Sequence, residues 1–235
     1  MIAYKFLGRG AVGLLSGFRW PVPANGGPGP WVSVSGPLLE SLNGVHACRV
    51  RDLPHWIDDE LWAVELGGAA VELETMVVAR RGRLVARVAA WTPETALELA
   101  ETCVWRCRDQ AARLLRRHGL EREASGLAAA EQLENVELLA APAASLATGR
   151  AALVAGYAAD AVAILQGRPS FEWPASMRPA VQTPGDTVAG LSGHVAMTAG
   201  LEAAELRGEE AYGDGLAAER AWQAAWLAGR LGVAG

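Results

Sequence analysis

Lysine is all but missing from this chain: Lys5 stands alone, and the rest of its 21 basic residues are arginine. With abundant alanine and glycine, that bias is the mark of a GC-rich coding genome, and an actinobacterial source is expected. Long apolar runs are missing too. No stretch of about 18 uninterrupted apolar residues occurs, which excludes a helix crossing a membrane. Cysteine is scarce, and three of them, an odd number, do not make a disulfide framework. The segment Ala11–Phe18 behind the basic start is too short and too broken by glycine for a secretory core, so a cytoplasmic protein is expected. Nor is there a surplus of positive charge. The net charge is -5, whereas dedicated nucleic-acid binders show a basic face or stripe. No nucleic-acid or membrane partner is therefore expected. There is no Gly-x-Ser-x-Gly elbow, Walker loop, dinucleotide fingerprint, His-Glu-x-x-His or paired Cys-x-x-Cys, and no cofactor or metal is expected.

What is present falls into two halves with different hydrophobic periods. With 235 residues the chain has the length for one larger domain or two small ones with a real core. Up to Trp91, short β-favouring runs alternate with Gly/Pro punctuation. Strands are predicted at Ile2–Leu7, Trp31–Ser35, Val45–Cys48 and Leu61–Leu66. Glu74–Ala79 and Arg83–Trp91 are predicted to pair as a hairpin across Arg80-Arg81-Gly82. Asp52-Leu53-Pro54 reads as a helix start, because Asp caps free amides and Pro is tolerated in a first turn. After Trp91 the period is helical. Thr92-Pro93-Glu94 opens a long helix to about Arg117, ended by Gly119. Further helices are predicted at Leu127–Ala140, Ala144–Gln166, Thr187–Leu206 and Gly215–Leu231, with a proline-rich crossing loop over 167–185. The fold class expected is α+β: a small antiparallel twisted sheet in a β-rich domain, residues 1–91, packed on an Ala-rich helical bundle, residues 92–235, with one shared core.

The densest chemistry lies in residues 44–66, between two strands, where a loop can gather side chains on a rigid support. His46 and Cys48 share a side of their strand. They read as a base and nucleophile pair, or more plainly as a buried thiol with a hydrogen-bonded histidine beside it. His55 joins His46 as an acid or base if both line a cleft, with Asp52 nearby. Asp58, Asp59 and Glu60 point in different directions and read as a solvated turn. Arg80, Arg81, Arg83 and Arg87 read as a solvated hairpin. Cys103 and Cys107 share a helix face and read as packing. His194, among alanines, reads as a satisfied core group. Nine tryptophans are present, six of them before residue 106. Indoles favour the edges of cores and interfaces, so a ligand groove lined by Trp20, Trp31 and Trp56 is the sharper expectation.

Residues 2–91 resemble an N-terminal domain of phage and bacterial proteins whose function is unknown. The matching residues are Ala3-Tyr4-Lys5-Phe6, Gly44-Val45-His46-Ala47-Cys48, Asp52-Leu53-Pro54, Val64-Glu65 and Val77-Val78-Ala79. Phe6 stands where that domain has glycine, and no lysine precedes Val77. The resemblance implies no activity. The order of a Tyr-Lys strand, a Gly-Val-His strand and a Val-Glu strand is similar to that of ADP-ribosyl-transferring folds, which implies a transferase with His46 and Lys5 in its site. The ending Ala218-Glu219-Arg220-Ala221-Trp222-Gln223 is similar to immunity-type helical proteins. Three functions follow as expectations: a module binding a small molecule or a protein partner through residues 44–62 and the nearby tryptophans, an enzyme using His46, His55 and Lys5, and a helical interaction protein.

Overall fold

The computed structural model describes residues 1–24, 26–168 and 183–234. The chain divides into two compact units. The first comprises Met1–Ala96, Pro184–Ala189 and Ala221–Gly235, and the second Leu97–Thr183 and Gly190–Arg220.

The first unit carries all the strands: β1 (Ile2–Leu7), β2 (Val32–Ser33), β3 (Val45–Ala47), β4 (Glu60–Glu72) and β5 (Val77–Arg87). A 3-10 turn, Val50–His55, separates β3 from β4. All pairings are antiparallel, in the order β1-β4-β5-β2, with β3 also on β5. One further pair closes the sheet on itself. Cys48, just after β3, exchanges both backbone hydrogen bonds with Tyr4 of β1, at 2.8 and 2.7 Å. The ladder therefore runs β1-β4-β5-β3-β1, a ring that leaves these strands without a free edge at that point. Alternate residues point into the ring. Ala3 and Leu7, Val45 and Ala47, Trp62, Val64 and Leu66, and Val77, Ala79 and Leu84 form its buried core with Ala11 and Trp20. Burying each of the larger side chains contributes roughly 1.5–3 kcal/mol.

The hairpin of β4 and β5 turns at Leu73–Met76, where the Leu73 N–H donates to the Met76 carbonyl. This corrects the expected turn at Arg80-Arg81-Gly82, which lies inside β5. The glycine marks a tight place in the ladder, since a Cβ on Gly82 would lie 2.6 Å from Val45 Cγ1. β4 correspondingly runs on past Leu66, with a register shift between Gly67 and Ala70 and Gly68 at φ +74°. Glycine takes that conformation without a side-chain penalty.

Six α-helices lie among the described residues: α1 (Pro93–Arg117), α2 (Glu121–Ala128), α3 (Leu133–Leu146), α4 (Gly149–Leu165), α5 (Pro184–Arg207) and α6 (Tyr212–Leu231). The α+β class is as expected, and α1 starts and stops where its signals lie. Between residues 120 and 149 the expected boundaries are corrected. Pro142 does not break a helix but sits inside α3. The carbonyl it leaves without an amide is that of Leu138, on an exposed side where water can serve it. The break falls instead at Gly149, with φ +57°. The expected crossing loop lies mostly in residues 169–182, outside those described.

Within the second unit, two arginines hold carboxylates with paired bonds. Arg106 holds the buried Glu219 with two bonds, at 2.7 and 2.6 Å, and Arg113 holds Glu202 in the same way.

Candidate functional site

Strand alternation places Lys5 on the inward face of β1, between Ala3 and Leu7 and opposite Trp62 of β4. An ammonium there loses much of its water. Its Nζ donates to the His46 carbonyl at 2.7 Å and lies 5.5 Å from the centre of the Trp20 ring, a distance at which the ring face attracts a cation. Among the described residues no carboxylate pairs with it. Burial pulls its pKa from the usual 10.5 down to about 8, because desolvation disfavours the charged form.

Lys5 forms part of the wall of a cleft of about 370 Å³ at this end of the ring. β1 and β3 supply one wall, from Tyr4 to Phe6 and from Gly44 to Cys48. The loop after β1 supplies Leu14, Leu15, Phe18 and Trp20, and Trp56 and Met76 complete the far side. The segments 3–6 and 44–48 thus meet through the Tyr4 and Cys48 backbone pair. Trp20 is buried, with Phe18 edge-on to it at 5.8 Å. Around the mouth, Leu14, Leu15, Phe18 and Leu42 are exposed by 58%, 76%, 45% and 82%, so the entrance is greasy as well as the wall. Among the described residues Lys5 is the one cationic side chain in the lining, and no acid joins it.

His46 is tied to the loop that precedes it. Its Nε2 accepts the Ser41 N–H at 3.1 Å and lies 3.3 Å from the Leu39 carbonyl. Gly44 also bonds the ring through its backbone. Burial lowers its pKa, an effect reinforced by the nearby Lys5 charge. A neutral ring accepting at Nε2 carries its proton on Nδ1. Cys48 is buried, and its thiol donates to the Tyr4 carbonyl at 3.2 Å. Burial pushes that thiol up to about 12, so it stays protonated at neutral pH.

Lys5, His46, Cys48, Trp20 and Trp56 therefore share one cleft. Trp31, His55 and Asp52 do not line it. Trp31 stacks with Arg81 at 4.5 Å and Arg83 at 4.7 Å. His55 is exposed at the end of the 3-10 turn. Asp52 is buried and caps that turn, accepting the Arg49 N–H and pairing with the Arg49 side chain. Arg49 in turn donates to Glu72 and to the carbonyls of Leu73 and Glu74, so Asp52 secures the β4–β5 turn. Trp56 lines the cleft with its indole N–H fixed on the Thr75 carbonyl at 2.8 Å.

Asp58, Asp59 and Glu60 point apart, as expected, but the solvated turn is corrected: Asp58 and Glu60 are buried. Burial raises the Asp58 pKa, and the neighbouring acids Asp59, Asp186 and Glu60 add to it. Glu60 accepts the Gly10 and Ala11 N–H groups and the Trp62 indole N–H. It anchors the loop that carries the cleft's outer wall. The solvated arginine hairpin is corrected in part: Arg81 and Arg87 are exposed, whereas the other two are tied down. Arg80 donates to the Val34 and Gly36 carbonyls, and Arg83 pairs across the strands with Glu65 at 2.7 Å. In the second unit Cys103 and Cys107 are fully buried, and burial raises both thiols. His194 bonds the Tyr157 carbonyl at 2.9 Å.

The greasy rim is what the sequence reading missed. Its one signal was a set of large apolar side chains, Leu14, Leu15 and Phe18, in a Gly-broken segment with no strand or helix period to bury them. No protein-family model matches this chain, and neither does any curated protein or solved structure.

Proposed function

We propose that the first unit is a binding module for a small, mainly apolar molecule that presents one carbonyl or carboxylate oxygen to Lys5. The observation that carries this is an inward-facing ammonium with no acid beside it among the described residues, on the wall of an apolar cleft of about 370 Å³. That volume is in the range of small-molecule sites, about 300–1,000 Å³, which pair apolar walls with a few placed polar groups. A desolvated cation is costly unless paired, and an acceptor oxygen from a ligand would form a charge-assisted bond there. The exposed apolar rim supports the same chemistry. That backbone groups occupy the His46 ring favours binding over acid–base catalysis at this position. A cytoplasmic setting belongs to the same proposal, supported by three cysteines that are all free thiols.

The test is a thermal-shift and tryptophan-fluorescence titration with decanoate and, in parallel, with the uncharged decanol. A ligand that binds only the folded state raises the melting temperature by mass action. Decanoate is expected to bind saturably, and Lys5→Met to weaken it by about tenfold or more, the size of a lost charged hydrogen bond. Decanol affinity should change little in the variant. Equal decanoate affinity in both proteins, or no saturable response to either probe, would defeat the proposal.

A further inference from the structure

We propose that Lys5 captures aldehydes or ketones of this ligand class as a reversible imine on Nζ, a step that rests on the binding reading above. Arginine supplies nearly all the positive charge of this chain, and a guanidinium cannot serve as an amine nucleophile at neutral pH. The one primary side-chain amine lies on the inward face of β1, on the wall of the cleft. Among the described residues its amine has one hydrogen-bond acceptor, the His46 carbonyl, and Lys5 is part of the cavity lining. A lysine desolvated in an apolar pocket is activated because its neutral form is favoured, and Lys5 titrates near 8 rather than 10.5. Among the described residues no carboxylate lies in the lining to restore the charge.

The atoms balance without a further reactant. The Nζ lone pair forms a bond to the carbonyl carbon while the carbon–oxygen π bond breaks, and one proton from nitrogen ends on that oxygen. The carbinolamine nitrogen then forms the C=N bond as the hydroxyl departs, and that hydroxyl takes up the second nitrogen proton by way of solvent and leaves as water. One water leaves, and neither an oxidant nor a reductant is consumed. Apolar walls and a greasy entrance select carbonyl compounds with hydrocarbon bodies over sugars.

The experiment treats the full chain with octanal and sodium cyanoborohydride, which reduces an imine to a stable octyl amine, and maps the product by peptide mass spectrometry. The chain offers only two primary amines, Lys5 and the Met1 terminus, so the assignment is unambiguous. The expected result is octyl on Lys5, formed at least about tenfold faster than in the urea-unfolded chain at the same pH, as a lowered pKa demands. The rate should fall as pH drops below about 8, and decanoate should slow it. Lys5→Arg should carry octyl at Met1 alone. Labelling of Met1 with Lys5 untouched, or Lys5 labelled no faster folded than unfolded, would overturn the imine. If decanoate still binds in that case, the binding reading stands and only the covalent step fails; if it does not, both fall.

Discussion

Replacing Lys5 by methionine should make the protein more stable at neutral pH while weakening its site. The drop of the Lys5 pKa from 10.5 to about 8, at about 1.4 kcal/mol per pH unit, is worth about 3 kcal/mol. Its sign follows from proton binding. Between pH 8 and 10.5 the unfolded chain holds the Lys5 proton more tightly than the folded chain does, so stability rises with pH through that window. Below about 8 the folded protein carries the whole cost of a partly desolvated ammonium, and above 10.5 it carries none. Methionine has nearly the same length and no charge, so it removes that cost. It also forfeits the bond to the His46 carbonyl, worth about 1 kcal/mol. The net expectation is a gain of about 2 kcal/mol at pH 7 that is gone by about pH 10 and becomes a loss of about 1 kcal/mol above 10.5, where only the forfeited bond counts. Urea denaturation of both proteins at pH 7 and pH 10 reads it as a gap in midpoints that narrows with pH. A variant less stable at pH 7, or a gap the same at both, would refute the placement of Lys5 inside the ring. Such a gain on losing a cleft residue is the stability–function trade expected of a binding group.

Two further outcomes test the frame around the cleft, and a third tests the second unit. Glu60→Ala leaves the Gly10, Ala11 and Trp62 donors unmatched and should cost about 3 kcal/mol in denaturant melts; a loss under about 1 kcal/mol would show that Glu60 does not hold the loop. Gly82→Ala drives a methyl into Val45 Cγ1 and Leu66 Cδ2, at 2.6 and 3.2 Å, and should cost about 1–3 kcal/mol, whereas a neutral result would mean the β5 register is wrong. In the second unit, Arg106→Ala strands the buried Glu219 and should cost about 3 kcal/mol or more. Pairing Arg106→Met with Glu219→Leu should recover most of it, and a double variant as unstable as the single one would contradict the account.

Local signals located most of the elements. Ile2–Leu7 is a strand because its residues favour extended backbone, and Pro93 and Gly119 bracket α1 as start and stop residues do. The errors have long-range causes. Arg80-Arg81-Gly82 looks like a turn, yet it lies in mid-strand because β2 and β4 pair with those residues from both sides. Local signals predict a helix end at Ala140 and a restart at Ala144, yet α3 runs through Pro142, with Leu138, four residues before it, on an exposed side. At the site, the 44–48 segment and Trp20 could be picked out as side chains that need partners. Trp31 could not be separated from them, because its arginine partners are aligned by strand register.

Composition, period and turn chemistry are enough to establish an antiparallel sheet followed by helices, because each of these acts over a few residues. They also single out one lysine in a chain that otherwise uses arginine. They do not set that lysine's environment. Its partner His46 lies 41 residues away in sequence, and the Cys48–Tyr4 pair that closes the ring spans 44. Desolvation is the sum of whatever the completed fold brings around a group, so only the closed sheet turns Lys5 from an ordinary surface cation into a half-buried, easily neutralised amine.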